Sequence, residues 1–176
     1  MIVEDIKKHI RNIPDFPKKG IVFRDITTLI GNGAAFRKIN QILHERYKDK
    51  KIDAVICVES RGFIFGSALA HSLGAAVIPV RKEGKLPHKT HKATYELEYG
   101  KDTLEIHQDA LKTSARIIIV DDLLATGGTI EAVIELVKHF NPEIIEIAFV
   151  IELTFLKGRD KLKGHPVFSL VQYDSE

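Results

Sequence analysis

The chain has 176 residues, is 44% hydrophobic and carries a formal net charge of +2 at pH 7, which fits one soluble domain with a substantial core. Neither a strong nucleic-acid footprint nor a membrane-spanning apolar run is present. The first residues do not resemble a secretion signal, and the single cysteine, Cys57, cannot form an intrachain disulfide. We therefore expect a cytoplasmic protein without nucleic-acid or membrane partners.

The N-terminal region is predicted to begin with a helix. Val3, Ile6, Ile10 and Ile13 recur at helical spacing, and Pro14 ends the pattern. A loop and a short apolar stretch then lead to the next helix.

Helices and strands alternate along the rest of the chain. The patterns predict, in chain order, a helix at 34–47, a strand at 53–58, a helix at 62–73, strands at 75–80, 104–111 and 117–120, a helix up to residue 140, and strands at 144–151 and 167–171. The segment 81–101 between them carries many charges and no long apolar run. This alternation predicts an α/β fold in which a parallel sheet has helices on both faces.

Ligands of such sheets bind outside the carboxyl ends of the strands. The loops that follow Val58, Val80, Val120 and Ile151 should therefore lie at one edge, although they are far apart in sequence. We expect the candidate site at this edge.

The most informative of these loops follows the apolar run that ends at Val120. Asp121 and Asp122 come directly after it and are expected to be solvent-facing at the strand tip. The small residues Ala125-Thr126-Gly127-Gly128-Thr129, here called the Gly-Thr turn, then lead into a helical pattern. Backbone N–H groups at a helix start favour an anion, and carboxylates accept hydrogen bonds from vicinal hydroxyls. The segment therefore predicts a site for a phosphorylated sugar.

Two further loops offer cations to the same edge. Ser60 and Arg61 stand just ahead of a helix, and Arg81 and Lys85 flank a glycine. Each loop alone would more often be a helix cap or a solvated turn. Because both face a sugar-phosphate motif, we favour a second anion site, of the kind that pyrophosphate needs.

The sequence VDDLLATGGT at 120–129 closely resembles the phosphoribosyl-pyrophosphate signature of the type I phosphoribosyltransferases. Further segments narrow the resemblance to the adenine phosphoribosyltransferase family along nearly the whole chain. They are FPKKGIVFRDIT at 16–27, ESRGF at 59–63, RKEGKLP at 81–87, YELEYGKDTLEIHQDAL at 95–111 and ELTFLKGRDKL at 152–162. We see no departure at the matched positions.

The resemblance implies transfer of a 5-phosphoribosyl group from phosphoribosyl pyrophosphate to adenine, giving AMP and pyrophosphate, with Mg²⁺ held mainly through substrate and not by direct protein ligands. It also implies a homodimer. The implied site residues are Ala125, Thr126, Gly127, Gly128 and Thr129 for the 5′-phosphate; Asp121 and Asp122 for the ribose; Glu59, Ser60, Arg61, Arg81 and Lys85 for pyrophosphate; and Val22, Phe23, Arg24 and Leu153 for adenine.

Two segments of the single domain 1–176 are expected to move or to cover the site. The resemblance implies a hood at about 14–30 over the base, and a mobile catalytic loop at about 81–103. Glu98 and Tyr99 lie in that loop, and Glu98 would stabilise the cationic sugar or handle a proton of the purine.

Other functions compete with this interpretation. A relative with the same fold could use hypoxanthine, guanine or xanthine, although the hood segment matches the adenine type. A purine-responsive regulator would usually carry a DNA-binding domain, whereas the residues before 34 are occupied by a short helix and the hood. A purely structural protein leaves the clustered anion sites unexplained.

Overall fold

The computed structural model describes residues 2–96 and 101–176. Helices α1 to α5 span Ile2–Lys7, Thr27–Gly31, Gly33–Tyr47, Gly62–Leu73 and Gly128–Lys138. Strands β1 to β9 span Arg11–Ile13, Phe23–Asp25, Ala54–Val58, Ala76–Lys82, Thr90–Glu96, Lys101–His107, Arg116–Leu124, Glu143–Leu153 and Val167–Tyr173. Two 3₁₀ turns, Thr154–Leu156 and Gly158–Leu162, connect β8 to β9.

Seven strands form one sheet in the order β5-β6-β4-β3-β7-β8-β9. The five strands from β4 to β9 in this order run parallel, and β5 and β6 are antiparallel to their neighbours. The carboxyl ends of β3, β4, β7 and β8 therefore meet at one edge, as the sequence predicts.

Apolar cores cover both faces of the sheet. Alternate residues of β3 and β7 point to opposite sides, so that Val55 and Cys57 pack against α3 and α4 while Ile56 and Val58 pack against α5. The predicted α/β class with helices on both faces is confirmed. No helix of the described residues is long and apolar enough to cross a membrane.

The N-terminal helix is shorter than predicted, because α1 ends at Lys7 and not near Ile13. Residues 11–13 instead form β1, which pairs antiparallel with β2 and places Arg11 opposite Asp25. Ile6 and Ile10 are both buried. Their apolar spacing therefore reflects burial in the core, although Ile10 lies beyond the end of the helix. The short helix α2 was not predicted.

The charged segment after β4 is more regular than its composition indicates. Strands β5 and β6 pair along their whole lengths, from Thr90 opposite His107 to Glu96 opposite Lys101. Residues 97–100, including Glu98 and Tyr99, lie outside the described residues.

Candidate active site

A cleft of about 440 Å³ opens at the carboxyl edge of the sheet. It is lined by the start of the loop after β3, the end of β4, the hairpin β5–β6, and the end of β7 with the helix start that follows. The lining residues are Glu59, Ser60, Arg61, Lys82, Tyr95, Leu104 and the continuous stretch 121–130. The cleft thus brings together three loops that the sequence assigned to one edge.

Asp121 and Asp122 lie within β7 and not beyond its tip, which corrects the sequence prediction. The strand continues to Leu124 because its backbone keeps pairing with β8. Asp122 is only 5% exposed, and its Oδ2 lies 2.8 Å from Arg61 Nε. That N–H is not aimed at the oxygen, so the contact is an ion pair without a hydrogen bond, and Oδ2 lacks a hydrogen-bond partner among the described residues.

The electrostatics of this acidic pair favour a positive or hydrogen-donating neighbour. Burial, followed by the charge of Asp122, holds the pKa of Asp121 well above its ordinary value. Burial also raises the pKa of Asp122, although the Arg61 guanidinium opposes this shift. Two adjacent carboxylates in a poorly solvated place are stabilised when a cation or hydroxyl donors approach.

The Gly-Thr turn leads directly into α5. Gly127 is the residue before the helix and has a φ of +84°, which favours glycine. The first N–H groups of a helix have no partner within it and carry its positive dipole end, and they line the cleft here. Thr129 contributes a hydroxyl that interacts with Tyr95 on the opposite wall. The turn is thus an anion cradle.

The cationic side chains of Arg81 and Lys85 are both held by the carboxylate of Glu59. Glu59, whose side chain is 8% exposed, accepts a hydrogen bond from Arg81 Nε at 3.3 Å. Its other oxygen pairs with Lys85 Nζ, and the backbone N–H of Lys82 donates to Oε2 at 3.1 Å. Arg81 and Lys85 therefore adjoin the cleft through Glu59 without lining it. Burial alone would raise the pKa of Glu59, but these partners hold it below its ordinary value.

The opposite wall contains residues that the sequence analysis did not select. Lys82 Nζ lies 2.8 Å from Asp102 Oδ2, and the Tyr95 hydroxyl donates to the same oxygen at 3.4 Å. Lys82 and Tyr95 both line the cleft. They stand in segments whose family resemblance was noted, but only the antiparallel pairing of β5 with β6 brings Tyr95 opposite Asp102.

The ribbon formed by β1 and β2 positions the predicted base-binding segment. Asp25 accepts hydrogen bonds from the N–H and hydroxyl of Thr27, at 2.8 and 2.7 Å, and from Arg11. These contacts lower the pKa of Asp25 to about 2. Phe23 lies beside the cleft, because the guanidinium carbon of Arg61 is 5.4 Å from its ring centroid.

Polar groups of the same ribbon contact the C-terminal residues. The N–H of Val22 donates to Glu176 Oε2 at 2.8 Å. The Arg24 side chain is buried and stacks on the Tyr173 ring at 4.0 Å, and its Nη2 donates to the Ser175 carbonyl at 3.1 Å. The Arg24 side chain is therefore already engaged by the C-terminal residues.

Comparison with known proteins agrees with this geometry. The model of the phosphoribosyl transferase domain matches residues 26–171. The adenine phosphoribosyltransferase of Chloroflexus aurantiacus is 56% identical, over 98% of this chain and 100% of its own length. That of Clostridium perfringens is 59% identical, over 96% of this chain and 98% of its own.

The chain belongs to the adenine phosphoribosyltransferase family.

Solved structures of this family share the fold closely. Adenine phosphoribosyltransferase from Thermoanaerobacter pseudethanolicus has a TM-score of 0.93 and 50% identity, covering 97% of this chain and 99% of its own. The Saccharomyces cerevisiae enzyme, in complex with an imino-altritol bisphosphate and adenine, has a TM-score of 0.91 and 44% identity, over 96% of this chain and 98% of its own. The predicted family and type I phosphoribosyltransferase fold are confirmed.

The structure places the predicted site residues in three groups. Glu59, Ser60, Arg61, the acidic pair and the Gly-Thr turn line the cleft. Arg81, Lys85 and Phe23 adjoin it through contacts with Glu59 and Arg61. Val22, Arg24 and Leu153 are not in its lining, and Leu153 ends β8 half-buried against the core on the α3–α4 face.

Proposed function

We propose that this chain transfers the 5-phosphoribosyl group from phosphoribosyl pyrophosphate to adenine, forming AMP and pyrophosphate in purine salvage. The observation that carries the proposal is the cleft, in which an anion cradle, an acidic pair whose Asp122 is buried, and a cation-bearing loop face one another. The yeast relative, 44% identical, was solved with adenine and a sugar bisphosphate analogue. These ligands match the chemistry of the cleft.

The Gly-Thr turn would hold the 5′-phosphate of the donor. Its backbone N–H groups and the dipole of α5 supply positive potential without a charged side chain. Asp121 and Asp122 would accept hydrogen bonds from the ribose hydroxyls. Since the reaction develops positive charge on the sugar, their burial also makes them effective stabilisers of that charge.

Arg61, with the backbone of Glu59 and Ser60, would bind the pyrophosphate. Arg81 and Lys85 are held by Glu59 in the structure, and we propose that they turn to the pyrophosphate when it arrives. Both cations would then exchange one carboxylate for a ligand of higher charge, so the exchange is favourable for them. That Arg81 and Lys85 bind the pyrophosphate stays a prediction.

Backbone groups of Val22 and Arg24 would read the base, and Phe23 and Leu153 would line its pocket. The aromatic face of Phe23, next to Arg61, would supply an apolar surface at the boundary between base and pyrophosphate. Such an arrangement orients the attacking ring nitrogen towards the anomeric carbon.

Glu98 and Tyr99 lie outside the described residues, and their roles rest on the family resemblance. A carboxylate delivered by the loop at about 81–103 would accept a proton from the purine or stabilise the cationic sugar. Closure of such a loop would also exclude water, which would otherwise hydrolyse the donor.

Mg²⁺ fits the donor set of the cleft. Glu59, Asp121 and Asp122 are its lining carboxylates, and the described residues offer no cluster of three or more His, Cys, Asp or Glu side chains as a ready protein cage. We therefore propose that oxygen atoms of phosphoribosyl pyrophosphate hold the ion, with Asp121 and Asp122 nearby. When bound, Mg²⁺ neutralises charge on the departing pyrophosphate.

The family resemblance leads us to propose a homodimer, with the helices at 34–51 or 62–73 as contact surfaces. From the sequence features described above we also propose a cytoplasmic location. The unpaired and buried Cys57 is compatible with a reducing compartment. Burial raises the pKa of its thiol to about 12, so Cys57 acts as a core residue and not as a nucleophile.

The decisive experiment is AMP formation from adenine and phosphoribosyl pyrophosphate, measured chromatographically with Mg²⁺ and with a chelator. We expect AMP and pyrophosphate in equal amounts, and loss of turnover without Mg²⁺. Hypoxanthine, guanine and xanthine provide the comparison for base choice. Faster turnover of any of these than of adenine would contradict the proposed substrate.

A further inference from the structure

The Gly-Thr turn rests on a second backbone segment. A Cβ atom built on Gly127 would lie 2.5 Å from the Gly158 carbonyl oxygen, and one built on Gly158 would collide with the Ala125 carbonyl oxygen. Neither position has room for a side chain, so the two segments touch backbone to backbone. A shift of Gly158 towards the Gly-Thr turn would therefore displace the turn, and a shift away would remove the backbone contact that supports it.

Arg159 fastens this supporting segment to the sheet. Its Nε and Nη2 donate to the two carboxylate oxygens of Glu152, at 2.6 and 2.7 Å. Its Nη1 donates to the Val167 carbonyl at 3.0 Å. A planar fork on both oxygens of one carboxylate fixes direction as well as distance. The residue next to Gly158 is thus oriented by two strands.

Glu152 is a firm anchor for this fork. It lies in β8 opposite Leu124 of β7, the residue immediately before the Gly-Thr turn. Its side chain is 4% exposed, and the Ser169 hydroxyl and Gln172 amide also donate to its Oε2. A buried carboxylate with this many donors is held in one position.

We propose that Arg159 is a positioning residue for donor binding: its fork on Glu152 holds Gly158 against Gly127 and thereby keeps the Gly-Thr turn in its phosphate-accepting shape. This inference rests on the proposed function, which assigns the 5′-phosphate to that turn. Arg159 is absent from the lining of the cleft. Its effect is therefore indirect, through the backbone contact.

The chain contains a matched control for this ion pair. Arg46 makes the same fork on a second buried carboxylate, with Nε 2.5 Å from Glu146 Oε2 and Nη2 2.7 Å from Oε1. The exposed fractions are similar, 36% and 7% for this pair against 43% and 4% for Arg159 and Glu152. Neither Arg46 nor Glu146 lines the cleft.

The experiment compares Arg159→Gln, Arg159→Lys and Arg46→Gln with the parent protein. Thermal unfolding is followed by circular dichroism, and calorimetry gives the Kd of ribose 5-phosphate and of pyrophosphate. Steady-state assays give KM for phosphoribosyl pyrophosphate and for adenine. We expect Arg159→Gln to raise the ribose 5-phosphate Kd and the donor KM by about 10- to 100-fold. Pyrophosphate Kd should change less than about threefold, because none of the residues proposed to bind pyrophosphate lies in the segment 152–162.

Arg159→Lys keeps the charge but loses the fork, so we expect an intermediate loss of ribose 5-phosphate affinity. Arg46→Gln should lower the unfolding temperature to a similar extent and leave all ligand affinities within about twofold. Equal loss of ribose 5-phosphate and pyrophosphate affinity in Arg159→Gln, or unchanged ribose 5-phosphate affinity, would overturn the proposal. If Arg159→Gln does not fold, the selectivity of Arg159→Lys decides in the same way.

The two proposals can fail separately. A parent protein that forms no AMP but binds ribose 5-phosphate contradicts the proposed function, while the Arg159 comparison still tests positioning. A parent protein that forms AMP, with an Arg159→Gln variant of normal donor KM, contradicts only the positioning role.

Discussion

Adjacent aspartates in β7 share a sequence motif but differ in their surroundings. Asp121 is half-buried beside the cleft, whereas Asp122 is buried and paired with Arg61. We predict that Asp121→Asn lowers turnover by about 10-fold or more and leaves the unfolding temperature nearly unchanged. Asp122→Asn should also lower turnover, but without loss of stability, because burial disfavours the charge of Asp122 more than the Arg61 guanidinium favours it.

Both variants are checked by single-turnover assays and denaturant unfolding. Asp53→Asn is the control, since Asp53 caps the opposite edge of the sheet through the Arg116 N–H at 2.7 Å. Near-normal turnover of the Asp121/Asp122 double variant would contradict the ribose assignment.

Glu98 is predicted to act mainly in the transition state. Glu98→Gln keeps the shape of the side chain but removes its charge, so we expect kcat to fall by about 10- to 100-fold with little change in substrate Kd. Glu98→Leu should be worse, and Glu83→Gln, a change in the same charged segment, should have little effect. If both Glu98 variants turn over like the parent under single-turnover conditions, Glu98 is a solvated loop residue.

At the scale of elements, the C-terminal residue Glu176 contacts the hood at about 14–30, where it would compete with adenine for a backbone N–H group. The Val22 N–H, which we propose for adenine, donates to Glu176 in the structure. Adenine must replace this exposed hydrogen bond, worth about 0.5 to 1 kcal/mol. We therefore predict that Glu176→Ala lowers the KM for adenine by about two- to fivefold.

Steady-state assays at saturating donor test this competition. Asp174→Ala is the matched control, because Asp174 accepts from the Thr154 hydroxyl at 2.6 Å and not from the hood. An unchanged KM for adenine in Glu176→Ala would separate Val22 from base binding.

For the whole molecule, a bound ligand should raise the free energy of unfolding by an amount set by the ratio of its concentration to its Kd. Phosphoribosyl pyrophosphate at 100 times its Kd adds about 2.7 kcal/mol, which corresponds to about 5 to 10 °C in Tm for a domain of this size. At the same ligand concentration adenine alone should shift Tm less, since it must displace Glu176 from the Val22 N–H and therefore binds more weakly. Differential scanning calorimetry with each ligand measures this, and a larger shift with adenine alone would contradict it.

Local sequence patterns were sufficient to predict the bounds of an element whose conformation does not depend on pairing with a distant segment. Helix α4 was predicted at 62–73 and spans Gly62–Leu73, because its apolar run is ended by Gly74 at a φ of +66°. The start of the chain was different: Ile10 satisfies a helical period, yet the pairing of β1 with β2 overrides it. The end of β7 was misjudged for the same reason, since its pairing with β8 carries the strand past both acids.

The sequence alone determined the α/β class and the edge of the sheet at which the cleft lies, because strand-helix alternation is encoded by neighbouring residues, and the resemblance of several segments identified the family. Tertiary structure decided which charges meet. Arg61 faces Asp122, Glu59 holds Arg81 and Lys85, and Arg159 pairs with Glu152 beside the segment that contacts the Gly-Thr turn. The partners in these contacts are brought together by parallel strand order and close backbone packing, and such contacts leave no periodic trace in a single sequence.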